Sequence, residues 1–309
     1  MKSELLLVGL DGANPLAFLA ALGTLRTLSL VWPDEVKMSW QQDTGAWRPV
    51  LHMTDPTDES TVIQVLTEAL GIKCQAFDLG ENLAVPPDRF RDQAIQAQQN
   101  ASPEDRCWAD FLSAFGCEIT TSQDSKKQTV IQDTELRTMS GAGHQNFLSV
   151  VIEISNITTA DHLHNSLFEP WQYTDAVEKH SMRWDPIDDS RYALRWRNPS
   201  GDPSRRSRGN MLGANRLAIE GMPLMPVMPR GSRLRTTGFT GMSSKDTFWT
   251  WPIWEPPLGM DAVRSVLALD LVQRPQPRSQ LAATGICEVY KSQRLTIGKY
   301  RSFAPAQAV

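Results

Sequence analysis

Residues 4–28 read ELLLVGLDGANPLAFLAALGTLRTL, an apolar run, a glycine turn and a long apolar stretch. The run Glu4–Leu10 has the length of a buried strand and ends among Gly9 and Gly12. Asn14 is suited to accept a bond from a free amide of a first helical turn, and Pro15 fits the first helical position, where a missing N–H costs nothing. From Leu16 to Leu28 a leucine recurs every third residue, while Phe18, Ala20 and Ala21 fill the faces between. The pattern predicts a helix over 14–28 that is buried on all sides. Ala20, Ala21 and Gly23 leave room for another backbone to approach it closely.

Outward from this stretch, Val36–Gln41 and Trp47–Met53 alternate as two strands around an Asp43-Thr-Gly turn, the signature of a hairpin. Helical periodicity predicts helices at about 59–70, 87–99, 103–115, 145–155 and 159–168, with a strand at 129–133 and a polar loop over Thr120–Gln128. After Trp171 prolines, arginines and tryptophans crowd together. Strand-like runs fall at 181–184, 191–196, 234–239, 247–251 and 287–291, and helices near 207–220 and 260–271. The expectation is an α+β fold of helices and short antiparallel strands. A helix-rich region 1–150 would precede a mixed region 151–309, and a single domain fits as well.

The 309 residues are 41% hydrophobic and 21% charged, enough for a substantial core without disulfides or metals. The longest largely apolar stretch, Pro15–Leu25, falls short of the ~20 residues that span a bilayer, and the opening run is too brief for a signal peptide. A cytoplasmic protein with no membrane partner is expected. Cys74, Cys107, Cys117 and Cys287 form no C-x-x-C pair and read as structural thiols, with no cofactor implied.

The net charge of −4 conceals a segregated distribution. Between Arg183 and Arg235 stand eleven arginines, no lysine and five acids, a net +6 against −10 for the remainder. Arg195 and Arg197 fall on one face of a predicted strand, and Arg205, Arg206 and Arg208 lie in a polar connection suited to follow a phosphate backbone. About five such contacts on B-DNA would give a salt slope near −4.5. Intrachain salt bridges are the alternative use of these arginines. Trp249, Trp251 and Trp254 stand in a segment of four aromatics within eight residues, where Pro252 disfavours a central strand. They suit base stacking, burial against a partner, or the core.

Catalytic signatures are sparse. The Gly9-Leu-Asp-Gly12 turn lacks G-x-G-x-x-G and P-loop residues, and no G-x-S-x-G or H-E-x-x-H occurs. His162 and His164, two apart, do not share a helix face as a zinc pair would. His144 follows Ser140-Gly-Ala-Gly, a loop able either to bring amides to a ligand or to pack against its neighbour. Asp185, Asp188 and Asp189 offer the oxygen ligands of a magnesium nuclease, or simply turn chemistry.

Gly12-Ala-Asn-Pro-Leu-Ala-Phe-Leu-Ala-Ala-Leu-Gly-Thr-Leu-Arg26 resembles the opening "G…PL…YL.ALG.LR" of large-subunit proteins of CRISPR type I-G (formerly I-U) systems. Together with Leu136–His144, Arg183-Trp-Asp-Pro and Trp249–Pro257, the chain resembles the shorter helicase-nuclease-extension proteins of those loci. The resemblance implies a non-catalytic subunit or accessory of a crRNA-guided effector complex. Its partners would be crRNA or target DNA, other type I-G subunits and the helicase-nuclease. A metal-dependent nuclease on the aspartate cluster, perhaps with His144, and a purely protein-binding scaffold are the alternatives.

Overall fold

The computed structural model describes residues 2–102, 105–123, 128–139, 141, 145–175, 180–188, 209–241, 243, 246–274, 278–297 and 300–309. The fold is α+β, with antiparallel sheets and helices around one aromatic centre. The chain opens with β1 (Lys2–Leu6) and α1 (Pro15–Val31). Asn14 caps α1 as its side chain predicts, its Oδ1 accepting from the amides of Leu16 and Ala17. β2 (Val36–Asp43) and β3 (Ala46–Thr57) form the expected hairpin, turned by Thr44 and Gly45 at φ 49° and 84°. β3 pairs with both β1 and β2, giving the order β1-β3-β2.

Four helices follow: α2 (Glu59–Leu70), capped by Asp58, then α3 (Pro87–Asn100), α4 (Cys107–Phe115) and, beyond a hairpin, α5 (Phe147–Ile157). That hairpin comprises β4 (Gly116–Gln123) and β5 (Gln128–Asp133). It corrects the expected loop over Thr120–Gln128, because the start of that polar segment pairs with Thr129–Ile131 and hydrogen-bonds to the sheet offset the polarity of its side chains. Next come α6 (Ala160–Leu167) and α7 (Leu212–Gly221), then the hairpin of β6 (Val227–Arg230) and β7 (Arg233–Thr236). The second large sheet has the order β11-β10-β9-β8, made from β8 (Phe239–Thr240), β9 (Phe248–Trp254), β10 (Ile286–Ile297) and β11 (Tyr300–Phe303). β12 (Gln307–Ala308) also pairs with β10, and α8 (Met260–Leu267) and α9 (Arg278–Ala282) connect β9 to β10.

α1 is the buried axis the leucine pattern predicts. It packs directly on α7 because glycines face backbone at the crossing: a Cβ on Gly23 would lie 1.7 Å from the Leu217 carbonyl oxygen, and one on Gly221 would lie 2.3 Å from that of Leu19. Phe18 of α1 enters a cage of indoles, 5.7 Å from Trp40, 5.9 Å from Trp249, 5.6 Å from Trp251 and 6.4 Å from Trp254. One contiguous core therefore runs from Leu5 to Phe303, with α1 against α7 and β2 against β9 meeting across position 150. No helix among the described residues is long and apolar enough to cross a membrane.

Candidate functional site

The structure removes three expected site residues from the surface. Trp249, Trp251 and Trp254 have no exposed area, and the Trp251 and Trp254 indole N–H groups donate to the Gly12 and Met38 carbonyls. These rings are core, and neither a base nor a partner chain can reach them. Pro252 is accommodated within the sheet because β8 pairs only with Phe248 and Trp249, so at position 252 that side of β9 has no ladder to lose. Arg195, Arg197, Arg205, Arg206 and Arg208 lie outside the described residues, as do Asp189 and His144.

Other candidates have structural employment. Asp185 is buried, accepts from Asn14, Tyr173 and the Ile187 amide, and so ties α1 to the later loop. The backbone of Asp188 ends the short 3-10 turn Pro186–Asp188. His162 completes a capping box with Thr159 and lies 3.7 Å from Asp175, while His164 is 3.6 Å from Glu59. Among the described residues no group of three His, Cys, Asp or Glu side chains could hold a metal ion. Arg216, part of the basic stretch, is buried in an ion pair with Glu220 at 2.8 Å.

Arginines do converge, but elsewhere. A cavity of about 550 Å³ is lined by Arg137, Arg233, Arg235, Arg294 and Arg301, against two carboxylates, Asp133 and Glu135. Four segments supply these groups. Asp133 ends β5, and Glu135 and Arg137 follow in the next turn. Arg233 and Arg235 share one face of β7 by the two-residue strand period. On the β10–β11 hairpin Thr296 stands opposite Arg301, which places Arg301 on the same face as Arg294.

Both acids are already engaged. Asp133 accepts from Arg137 Nε at 2.8 Å. Glu135 accepts from Arg235 Nη1 at 2.8 Å and from the Thr236 amide at 2.6 Å. Arg294 and Arg301 instead reach backbone: Arg294 Nη1 donates to the Glu135 carbonyl at 2.9 Å, and Arg301 Nη1 to that of Arg137 at 3.4 Å. Arg294 is only 8% exposed, and its buried Nε–H has no partner among the described residues.

The electrostatic consequence is visible in both groups. Burial, then the like charge of Arg301, pushes Arg294 down to about 10. Burial and neighbouring Arg137 likewise push Arg301 below its ordinary value. Asp133 and Glu135 offset these shifts only in part, being ion-paired to Arg137 and Arg235, so the cavity carries more cations than carboxylates among its described lining. An anion in the cavity would offset the crowding of charge.

Sequence density pointed to the consecutive arginines and passed over Arg137, Arg294 and Arg301, which are separated by up to 164 positions. The Arg233-Leu-Arg235 alternation was the one local signal. Comparison with known proteins matches the chain to no family model and to no curated protein.

Proposed function

We propose that this chain is a non-catalytic nucleic-acid-holding protein whose arginine cavity takes phosphate groups, acting in the cytoplasm as a subunit or accessory of a type I-G CRISPR effector complex. The observation that carries phosphate binding is the pair Arg294, buried, and Arg301, half-buried, which among the described residues donate to backbone carbonyls and form no ion pair with a carboxylate, on a 550 Å³ cavity. Guanidinium groups match phosphate oxygens in geometry and stay charged when desolvated. The effector context rests on the resemblance of Gly12–Arg26 and the accompanying segments to proteins of those loci. Within such a complex guide pairing reads sequence, and a subunit of this kind holds backbone through positive charge. crRNA, target DNA, other type I-G subunits and the helicase-nuclease are the corresponding partners.

The direct test is fluorescence anisotropy with labelled 20-nucleotide single-stranded RNA, single-stranded DNA and duplex DNA in 50 and 200 mM salt. Binding that weakens with salt is expected. Failure to bind any of the three at 50 mM would favour the scaffold alternative, and cleavage dependent on magnesium or manganese would favour the nuclease.

A further inference from the structure

A second polar cluster lies apart from the arginine cavity, where α1, α4 and α7 meet. Arg26 is 1% exposed and pairs with Glu220 at 2.7 Å and with Asp110 at 3.5 Å. Arg216 joins through Glu220, and Arg106 reaches Asp110 at 3.0 Å. Both terminal nitrogens of Arg26 are used, yet its buried Nε–H has no partner among the described residues. Cys107 lies beside the Arg26 side chain and beside Cys74.

Three features converge on Cys107. It is the first residue of α4, a nine-residue helix whose free amides favour an anion there. A buried guanidinium stands beside it. Cys107 and Cys74 also line the same cavity of about 210 Å³, with Cys107 half-buried and Cys74 buried behind it. Arg106, Asp105 and Lys73 are the charged groups that share this lining.

We propose that Cys107 and Cys74 form a peroxide-sensitive thiol pair, in which Cys107 is the nucleophile and Cys74 resolves its oxidised form. The Cys107 thiolate attacks one oxygen of a hydroperoxide, the O–O bond breaks, and hydroxide leaves with the other oxygen, giving a sulfenic acid. The Cys74 sulfur then attacks the Cys107 sulfur. Its proton and the sulfenic hydroxyl depart as water, and an S–S bond remains. Two thiols are oxidised by two electrons and one hydroperoxide is reduced. The product would tie the start of the 3-10 turn Gln75–Leu79 to the start of α4.

The protonation pattern agrees with this division of roles. Neighbouring Cys74, together with Arg26, holds Cys107 below its ordinary value against burial and Glu220. Cys74, the more buried of the two, is held well above its own. Burial raises Cys117 and pushes Cys287 up to about 12, so these two serve as internal controls.

The test uses the reduced full chain. Iodoacetamide should alkylate Cys107 at least about tenfold faster than Cys287, the low nucleophilicity of a low-pKa thiolate offsetting part of its larger ionised fraction. One equivalent of hydrogen peroxide should give a Cys74–Cys107 cross-linked peptide, while Cys117 and Cys287 remain alkylatable. Cys74→Ser should leave a dimedone-reactive Cys107, and Cys107→Ser should give neither adduct nor cross-link. An alkylation ratio below tenfold, or a first oxidation product that leaves both Cys74 and Cys107 alkylatable, overturns the proposal.

Discussion

Replacing Arg294 and Arg301 together by glutamine tests the arginine cavity at its two cations that meet only backbone carbonyls among their hydrogen-bond partners. Glutamine keeps an amide donor for the Glu135 carbonyl, so the loss is mainly of charge. If each guanidinium neutralises one phosphate of a single strand, the pair contributes ~1.4 to the slope of log affinity against log salt. Between 50 and 200 mM salt, the wild type should therefore lose roughly sevenfold more affinity than the variant. Working with the difference removes any common contribution from arginines 195–208. Anisotropy titrations at four salt concentrations read the slope, and far-UV circular dichroism with a thermal melt checks that both proteins are folded. Equal slopes for two folded proteins would refute phosphate binding at this cavity, whatever the absolute affinity.

Arg294 has a folded value of about 10, below its ordinary value, so its charge costs stability below pH 10, a cost that fades as pH rises above 10 toward that ordinary value. An occupying anion offsets that cost at neutral pH, so sulfate at matched ionic strength should raise the Tm of the wild type more than that of the double variant in calorimetry, by roughly 1–2 °C per kcal/mol of linkage. Asp58 accepts from the amide and hydroxyl of Thr61 and from the Ser60 hydroxyl, which hold it at about 2 rather than 3.8. Its folded value is depressed, so its contribution is full above the ordinary value and lost as pH falls toward 2. The stability gap between wild type and Asp58→Ala in urea titrations should narrow over that window. Gly23→Ala drives a methyl into the Leu217 carbonyl and should cost ~1–3 kcal/mol or more by forcing α1 from α7, read as a lower Tm.

Local chemistry was legible wherever a few neighbouring residues determine the outcome. Asn14-Pro15 marks the start of α1, Asp43-Thr-Gly turns the first hairpin, and the helix expected at 59–70 is observed over Glu59–Leu70. The start of α4 was set too early, at 103, since it begins at Cys107. Strand tendency over 181–184 gave irregular chain instead, with Arg183 at φ 58° and Trp184 donating to the Leu136 carbonyl. The tryptophans illustrate the limit of a one-dimensional reading. Their spacing allowed stacking, burial against a partner or the core, and Phe18, more than 200 positions earlier, decides for the core. The cavity is hidden for the same reason, because cross-strand register brings Arg294 and Arg301 together and tertiary packing adds Arg137 and Arg235. Arg216 shows the converse: composition placed it with a basic surface, whereas Glu220 one helical turn away and the Leu70 carbonyl hold it inside.

The indole cage around Phe18 has a consequence for biosynthesis. The helix that carries Phe18 leaves the ribosome early, but Trp249, Trp251 and Trp254 are added some 230 residues later, a wait on the order of 10–50 s at typical elongation rates. Until then the Phe18 side of a 17-residue, largely apolar segment lacks three of the four indoles that cover it. Nascent chains of this protein should therefore depend on chaperones until β9 emerges, and products that stop short of it should aggregate instead of accumulating as folded fragments.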